Sequence, residues 1–264
     1  ATANPSSYGG RNRMSEAFMN RFEVIYIDSM KDEEMAEILE GKIQKDLVAS
    51  GSYRKEDFEK TKEETVKEYR RRTNAILVKE VGVTREQLVL IARVQDKLNG
   101  ALRNGKFLGM GADADYVFTI RNYFNLYRSL KERKKQGQHL DLDAWLRESF
   151  IEYSSVVMRS DTYLLNQPDA LKNDPAYKVL RNIFCVVLGD HFVDGGSANA
   201  HEAFDKLVGK WFQKIDFEYD RATHTLRIDG LGITGWTLRE RRLIEELIGT
   251  ESTKFNQLQV LKAL

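Results

Sequence analysis

Three residues could meet a phosphate. Arg21 sits in Asn20-Arg21-Phe22, at the end of a short helical segment and before the β-type run 22–27. A guanidinium is always charged, and its forked donors match phosphate oxygens; an arginine at a helix C-terminus can equally serve the macrodipole. Arg121, in Thr119-Ile120-Arg121-Asn122, opens a later helix, where an exposed arginine is ordinary. Asn4 precedes Pro5, a pairing that starts turns, and its amide could also orient a water or a phosphate oxygen. Other clusters are weaker. His191, Asp194 and His201 fit no zinc spacing and are interrupted by Gly195 and Gly196. Cys185 stands among Ile183, Phe184, Val186 and Val187, a core setting without a nucleophile motif. Arg70, Arg71 and Arg72 lie among acids and read as a solvated helix face.

Composition narrows the classes. The 264 residues allow about two domains at roughly 150 residues each. A hydrophobic content of 42% is enough to pack cores. With 41 basic against 40 acidic side chains, the net charge of +1 gives no whole-chain pull towards nucleic acid or anionic membrane. A single cysteine excludes an internal disulfide and suits a reducing, intracellular compartment. No apolar run reaches the length of about 18 residues that a membrane span requires.

The elements that must position these residues are mainly helical. Only Pro5, Pro168 and Pro175 interrupt the chain. Ser29 can cap a helix from about Lys31, with Met35, Ile38 and Leu39 as its apolar stripe. In the charged stretch 53–79, Glu63 with Lys67 and Glu68 with Arg72 have the i,i+4 spacing of a solvated helix. Thr84 with Gln87 is a capping box before Leu88, Ile91, Val94 and Leu98. A helix over about 119–134 carries Ile120, Phe124, Tyr127 and Leu130 on one face. Helical periods follow in 142–157, 177–188 and 201–212. Alternation at Ile215, Phe217 and Tyr219, and again at Leu226 and Ile228, predicts a β-hairpin around 221–224. Thr237 with Glu240 opens a further helix, and 253–264 reads as a short amphipathic one.

The N-terminal motifs (Asn4-Pro5, Tyr8-Gly9-Gly10-Arg11 and Asn20-Arg21-Phe22) resemble the second half of an AAA+ ATPase core. The branch is the midasin and dynein-related, MoxR-like one. The resemblance implies that residues 1–28 end the α/β large subdomain and residues 29–136 form the helical lid. Residues 137–264 would then be a helical linker with a β-hairpin, leading towards a next module. Asn4 would be sensor 1 and Arg21 the arginine finger, with Arg11 and Arg13 as rivals. Arg121, in Tyr116-Val-Phe-Thr-Ile-Arg, would be sensor 2 and a nucleotide contact. ATP and Mg²⁺ are the implied cofactors. Their main ligands are not expected here, because the sequence has no Gly-x-x-x-x-Gly-Lys-[Ser/Thr] and no apolar strand ending in Asp-Glu. The chain then reads as a window of a longer polypeptide, inactive by itself.

Neighbouring AAA+ modules in a ring and a protein or pre-ribosomal substrate are the implied partners, without direct nucleic-acid or membrane binding. Residence would be nuclear or nucleolar for a midasin and cytoplasmic for a MoxR-type chaperone, the first alternative. The second is a non-catalytic helical scaffold with a degenerate AAA+ remnant. A departure from the family pattern is the charged insertion 44–72, longer than a compact lid needs and suited to docking.

Overall fold

The computed structural model describes residues 30–107, 116–158, 168–192 and 199–212, and three short strands between 217 and 233. Asn4, Arg21, Arg11, Arg13, Ser29 and everything beyond 233 lie outside the described residues. What is described is mainly helical.

Helix α1 (Asp32–Ala49) starts where Glu34 folds back to accept the Lys31 N–H at 2.9 Å. Asp32, Glu33 and Glu34 in its first turn complement the dipole. Met35, Ala36, Leu39 and Ile43 are buried on one face. A 3-10 turn (Lys55–Phe58) leads to α2 (Val66–Val81), capped by Thr65. Of the two acid–base pairs read at i,i+4 spacing, neither organises this helix. Glu63 precedes it, and Arg72 bonds Glu64 at 3.0 Å while Glu68 caps the Thr65 N–H at 2.8 Å. Local capping outcompeted the solvent-exposed pair because it satisfies an orphan backbone donor.

Gly82 ends α2 with φ +79, and its N–H reaches the carbonyls of Leu77 and Val78. A Cβ there would meet the Leu140 carbonyl oxygen at 2.1 Å. Glycine is needed twice over, for the left-handed turn and for the close backbone approach.

The Thr84–Gln87 capping box opens α3 (Arg85–Arg103), the central helix. It packs on α1 and, further along the chain, on α5 (Leu142–Val157) and α7 (Pro175–Phe192). Leu88, Ile91, Ala92, Val94 and Leu98 are buried, each larger one contributing about 1.5–3 kcal/mol relative to exposure. Helix α4 (Ile120–Lys135) packs on α5. Its buried face is Tyr123, Leu126, Tyr127 and Leu130, with Ile120 and Phe124 only half-buried, so the apolar stripe is rotated from the one read in the sequence. Tyr123 decides this: its hydroxyl bonds the Leu88 carbonyl, which satisfies the phenol in the core.

Short α6 (Pro168–Asn173) and α7 both begin on proline, which suits the first helical position. Helix α8 (Ala200–Phe212) packs on α7 and buries Phe204, Val208, Trp211 and Phe212. One hydrophobic cluster runs from Met35 to Phe212, without a break near residue 136. The strands β1 (Phe217–Asp220), β2 (Thr225–Ile228) and β3 (Leu231–Ile233) pair antiparallel in chain order, Phe217 opposite Ile228 and Leu226 opposite Ile233.

Candidate functional site

Arg121 occupies the first turn of α4, exposed to solvent. Among the described residues nothing hydrogen-bonds or ion-pairs with its guanidinium. The backbone beneath it is fixed on several sides. Thr119 caps α4 through its Oγ1, which accepts the Arg121 N–H at 3.3 Å, and Asn122 reciprocates by accepting the Thr119 N–H at 2.9 Å. Asn99 of α3 holds Phe118 like a neighbouring strand. Its Oδ1 accepts the Phe118 N–H at 2.8 Å, and its Nδ2 donates to the Phe118 carbonyl at 2.9 Å. Buried Gln95 donates to the Thr119 carbonyl at 3.1 Å.

Aromatic packing closes the strap. The Phe118 ring stands edge-on to Tyr116 at 4.9 Å and to Tyr153 at 5.1 Å, geometries that the ring quadrupoles favour. Asn122 also donates to Glu152 of α5 at 2.9 Å. The result is a rigid cap presenting one forked cation outward, able to take an anionic oxygen pair. Asn99 and Gln95 do this positioning and were not singled out in the sequence. The available signal was two amides one turn apart on the inward side of an apolar helix, where polar groups need partners.

A second polar feature lies apart from Arg121. A cleft of about 360 Å³ opens between α1, α2 and the start of α3, with Glu40, Arg85, Lys60, Arg70 and Asn74 among its walls. Glu40 is buried, and Arg85 donates to it at 2.8 Å while Gln44 donates at 3.1 Å. Burial pushes the Glu40 carboxyl up from its ordinary value, against the pull of Arg85. Asn74 accepts the Arg85 N–H at 2.9 Å and donates to Glu86 at 3.0 Å, which joins α2 to the head of α3. Glu40 falls on the buried side of α1 beside Leu39 and Ile43, which is the sequence signal that marks it.

The remaining candidates resolve structurally. Arg72 is spent on holding the charged insertion: it bonds Glu64 and the Glu59 carbonyl at 3.0 Å, and also the Asp57 carbonyl. Arg70 and Arg71 are exposed. His191 and His201 are both exposed, while Asp194, the third residue of that cluster, lies outside the described residues; no group of three or more metal-binding side chains occurs among the described residues. The Cys185 thiol is buried, and desolvation pushes it up to about 12, which holds it as an inert thiol at neutral pH. Among the described residues, no helix is long and apolar enough to cross a membrane.

Comparison with known protein families, curated proteins and solved structures finds no match to this chain.

Proposed function

We propose that this chain is part of an AAA+ ATPase of the midasin and dynein-related branch, one that uses ATP hydrolysis to remodel protein or ribonucleoprotein assemblies. The observation that carries the reading is Arg121. It follows the helices read as the lid, sits in the first turn of α4, and leaves its guanidinium unengaged among the described residues on a cap that Asn99, Gln95 and Asn122 immobilise. An arginine held that way suits a sensor-2 role, reaching an ATP phosphate and tying the lid angle to nucleotide state. Its charge and forked donors fit the phosphate chain. ATP, when bound, supplies the phosphoryl group whose transfer drives the motion.

In this reading Arg21 is the finger that completes a neighbouring module's site, and Asn4 positions the attacking water. In this reading the Mg²⁺ ligands would be a P-loop hydroxyl and a strand-end acid, motifs that residues 1–264 do not carry. The partners are adjacent modules of a ring and, for a midasin-like parent, a pre-ribosomal particle in the nucleus. A MoxR-type chaperone would share the chemistry and act on a partner protein in the cytoplasm.

The test uses the intact parent protein with its other nucleotide sites silenced. Arg21→Ala is expected to lower turnover by roughly 10³–10⁵ with affinity little changed, as for other arginine fingers. Arg121→Ala is expected to weaken ATP binding itself. Coding sequence without a Gly-x-x-x-x-Gly-Lys-[Ser/Thr] element upstream of Ala1, or turnover indifferent to Arg21→Ala, rejects the motor and leaves the helical scaffold.

A further inference from the structure

The inward side of α2 changes character along its length. The stripe that buries Thr73, Leu77 and Val81 continues towards the N-terminus as Arg70 and Val66, at the i+3 and i+4 spacings of a single helix face. There it lines the cleft of about 360 Å³ instead of a packed surface. Opposite stand Glu37 and Glu40 of α1, with Arg85 at the head of α3 and Lys60 of the charged insertion. Val66 is left 57% exposed. Neither the Arg70 guanidinium nor the Lys60 ammonium has a hydrogen-bond or ion-pair partner among the described residues.

The cleft is rich in donors and poor in open acceptors. Arg85 gives a single side-chain N–H to Glu40 at 2.8 Å and keeps the others. Asn74 gives one amide N–H to Glu86 at 3.0 Å and keeps the second. Neighbouring acids are already engaged: Glu40 accepts from Arg85 and Gln44, and Glu64 accepts from Arg72. Glu37 is exposed at the rim, 3.6 Å from Arg85. With three cations against two carboxylates in its walls, the cleft is net positive. We propose that it binds a small organic phosphate, a monoester whose oxygens meet Arg70, Arg85 and Lys60 and whose carbon part lies against Val66 and Tyr69.

Two guanidinium forks and an ammonium, brought from three segments, suit the several oxygens of a phosphate better than the two of a carboxylate. The insertion is pinned where this requires it. Arg72 bonds the carbonyls of Asp57 and Glu59, and Tyr69 donates to the Phe58 carbonyl at 3.0 Å, which fixes the backbone next to Lys60. The volume falls within the range of small-ligand pockets, about 300–1,000 Å³. This site lies apart from Arg121 and does not rest on the ATPase reading.

Isothermal titration of the full chain with phenyl phosphate at low ionic strength tests it. The expected result is one saturable site with a dissociation constant below about 1 mM. Inorganic phosphate leaves Val66 and Tyr69 uncovered and should bind about tenfold more weakly. Benzoate offers one oxygen fewer and should also lose about tenfold. Arg70→Gln should weaken phenyl phosphate binding about tenfold, and Lys60→Gln about threefold. Glu37→Gln removes a repelling carboxylate and should tighten it about threefold. All three side chains are exposed, and unchanged helical circular dichroism separates lost binding from lost folding. Absence of saturation up to about 10 mM overturns the proposal. So does affinity indifferent to Arg70→Gln, which would mean an adventitious ion only, or affinity weakened by Glu37→Gln, which would mean a cationic ligand. Benzoate binding as tightly as phenyl phosphate overturns the phosphate assignment.

Discussion

The α4–α5 junction and the α7–α8 pair are both tightly packed, but they are held together differently. At the first, polar groups are buried in directed contacts. The Arg133 and Glu148 side chains are 5% and 1% exposed and bond at 2.8 Å, and Asn122 of α4 donates to Glu152 of α5 at 2.9 Å. At the second, Phe204 lies against Phe184 and Phe192 at 5.2 Å, and Phe150 of α5 faces Phe204, Trp211 and Phe212 at about 6 Å. Its main polar clasp is Asp205, which accepts from Tyr177 at 2.6 Å and Arg181 at 2.8 Å. Hydrophobic adhesion is non-directional, while a hydrogen-bonded buried ion tolerates one geometry. The difference shows where the fold fixes orientation: in the half that carries the Arg121 cap.

Three changes test this contrast, from the largest expected effect to the smallest. Glu148→Ala removes the carboxylate that faces the buried Arg133 guanidinium, while Gln138 still accepts from it, and should lower unfolding stability by about 3–5 kcal/mol, measured by urea titration. A loss below about 1 kcal/mol would mean that the junction relaxes or admits water and that the contrast is mistaken. Tyr177→Phe removes one clasp bond in the aromatic half. Asp205 keeps Arg181, so the expected cost is about 0.5–1.5 kcal/mol. A cost equal to that of Glu148→Ala would erase the distinction between the halves.

The smallest effect is a slope with pH, at the α1–α3 cleft. The Glu40 carboxyl is raised by burial, so the folded chain binds its proton more tightly than the unfolded chain does. The corresponding stability is fully present below the ordinary value of 4.5 and is lost as pH rises through the elevated folded value. Relative to Glu40→Gln, the native chain should therefore gain stability as pH falls through that window. Asp46 behaves oppositely. Burial works against its charge, but hydrogen bonds from Lys131 and Lys42 overcome this and hold it low. Its contribution is present above the ordinary 3.8 and is lost as pH falls through the depressed folded value. Unfolding titrations of native chain and Glu40→Gln at several pH values read the difference. A native chain that gains stability over Glu40→Gln as pH rises would contradict the burial of Glu40.

Much of the helical framework was legible from local rules. The Thr84–Gln87 box begins α3 one residue later, and Thr119 caps α4, because a capping side chain and its orphan N–H lie within one turn of each other. Which face of each helix is buried, and how polar groups inside are matched, was less legible. Tyr123 rather than Phe124 points inward because a carbonyl of α3 waits for its hydroxyl. Of the residues around the candidate site, sequence motifs named Arg121, whereas Asn99, Gln95 and the Glu40–Arg85 pair needed the fold to bring them together. Their partners are 19 to 45 residues away.

The sequence by itself determined most of the helical segments and the Thr84–Gln87 cap, since propensity, periodicity and capping act over three or four residues, whereas the first helix is capped at Lys31 and not at Ser29. Tertiary structure alone decided that Arg121 stands on a hydrogen-bonded cap and that Glu40 is a desolvated carboxyl. Each of those depends on what another helix places beside it, and burial and dielectric are properties of that neighbourhood rather than of the residue.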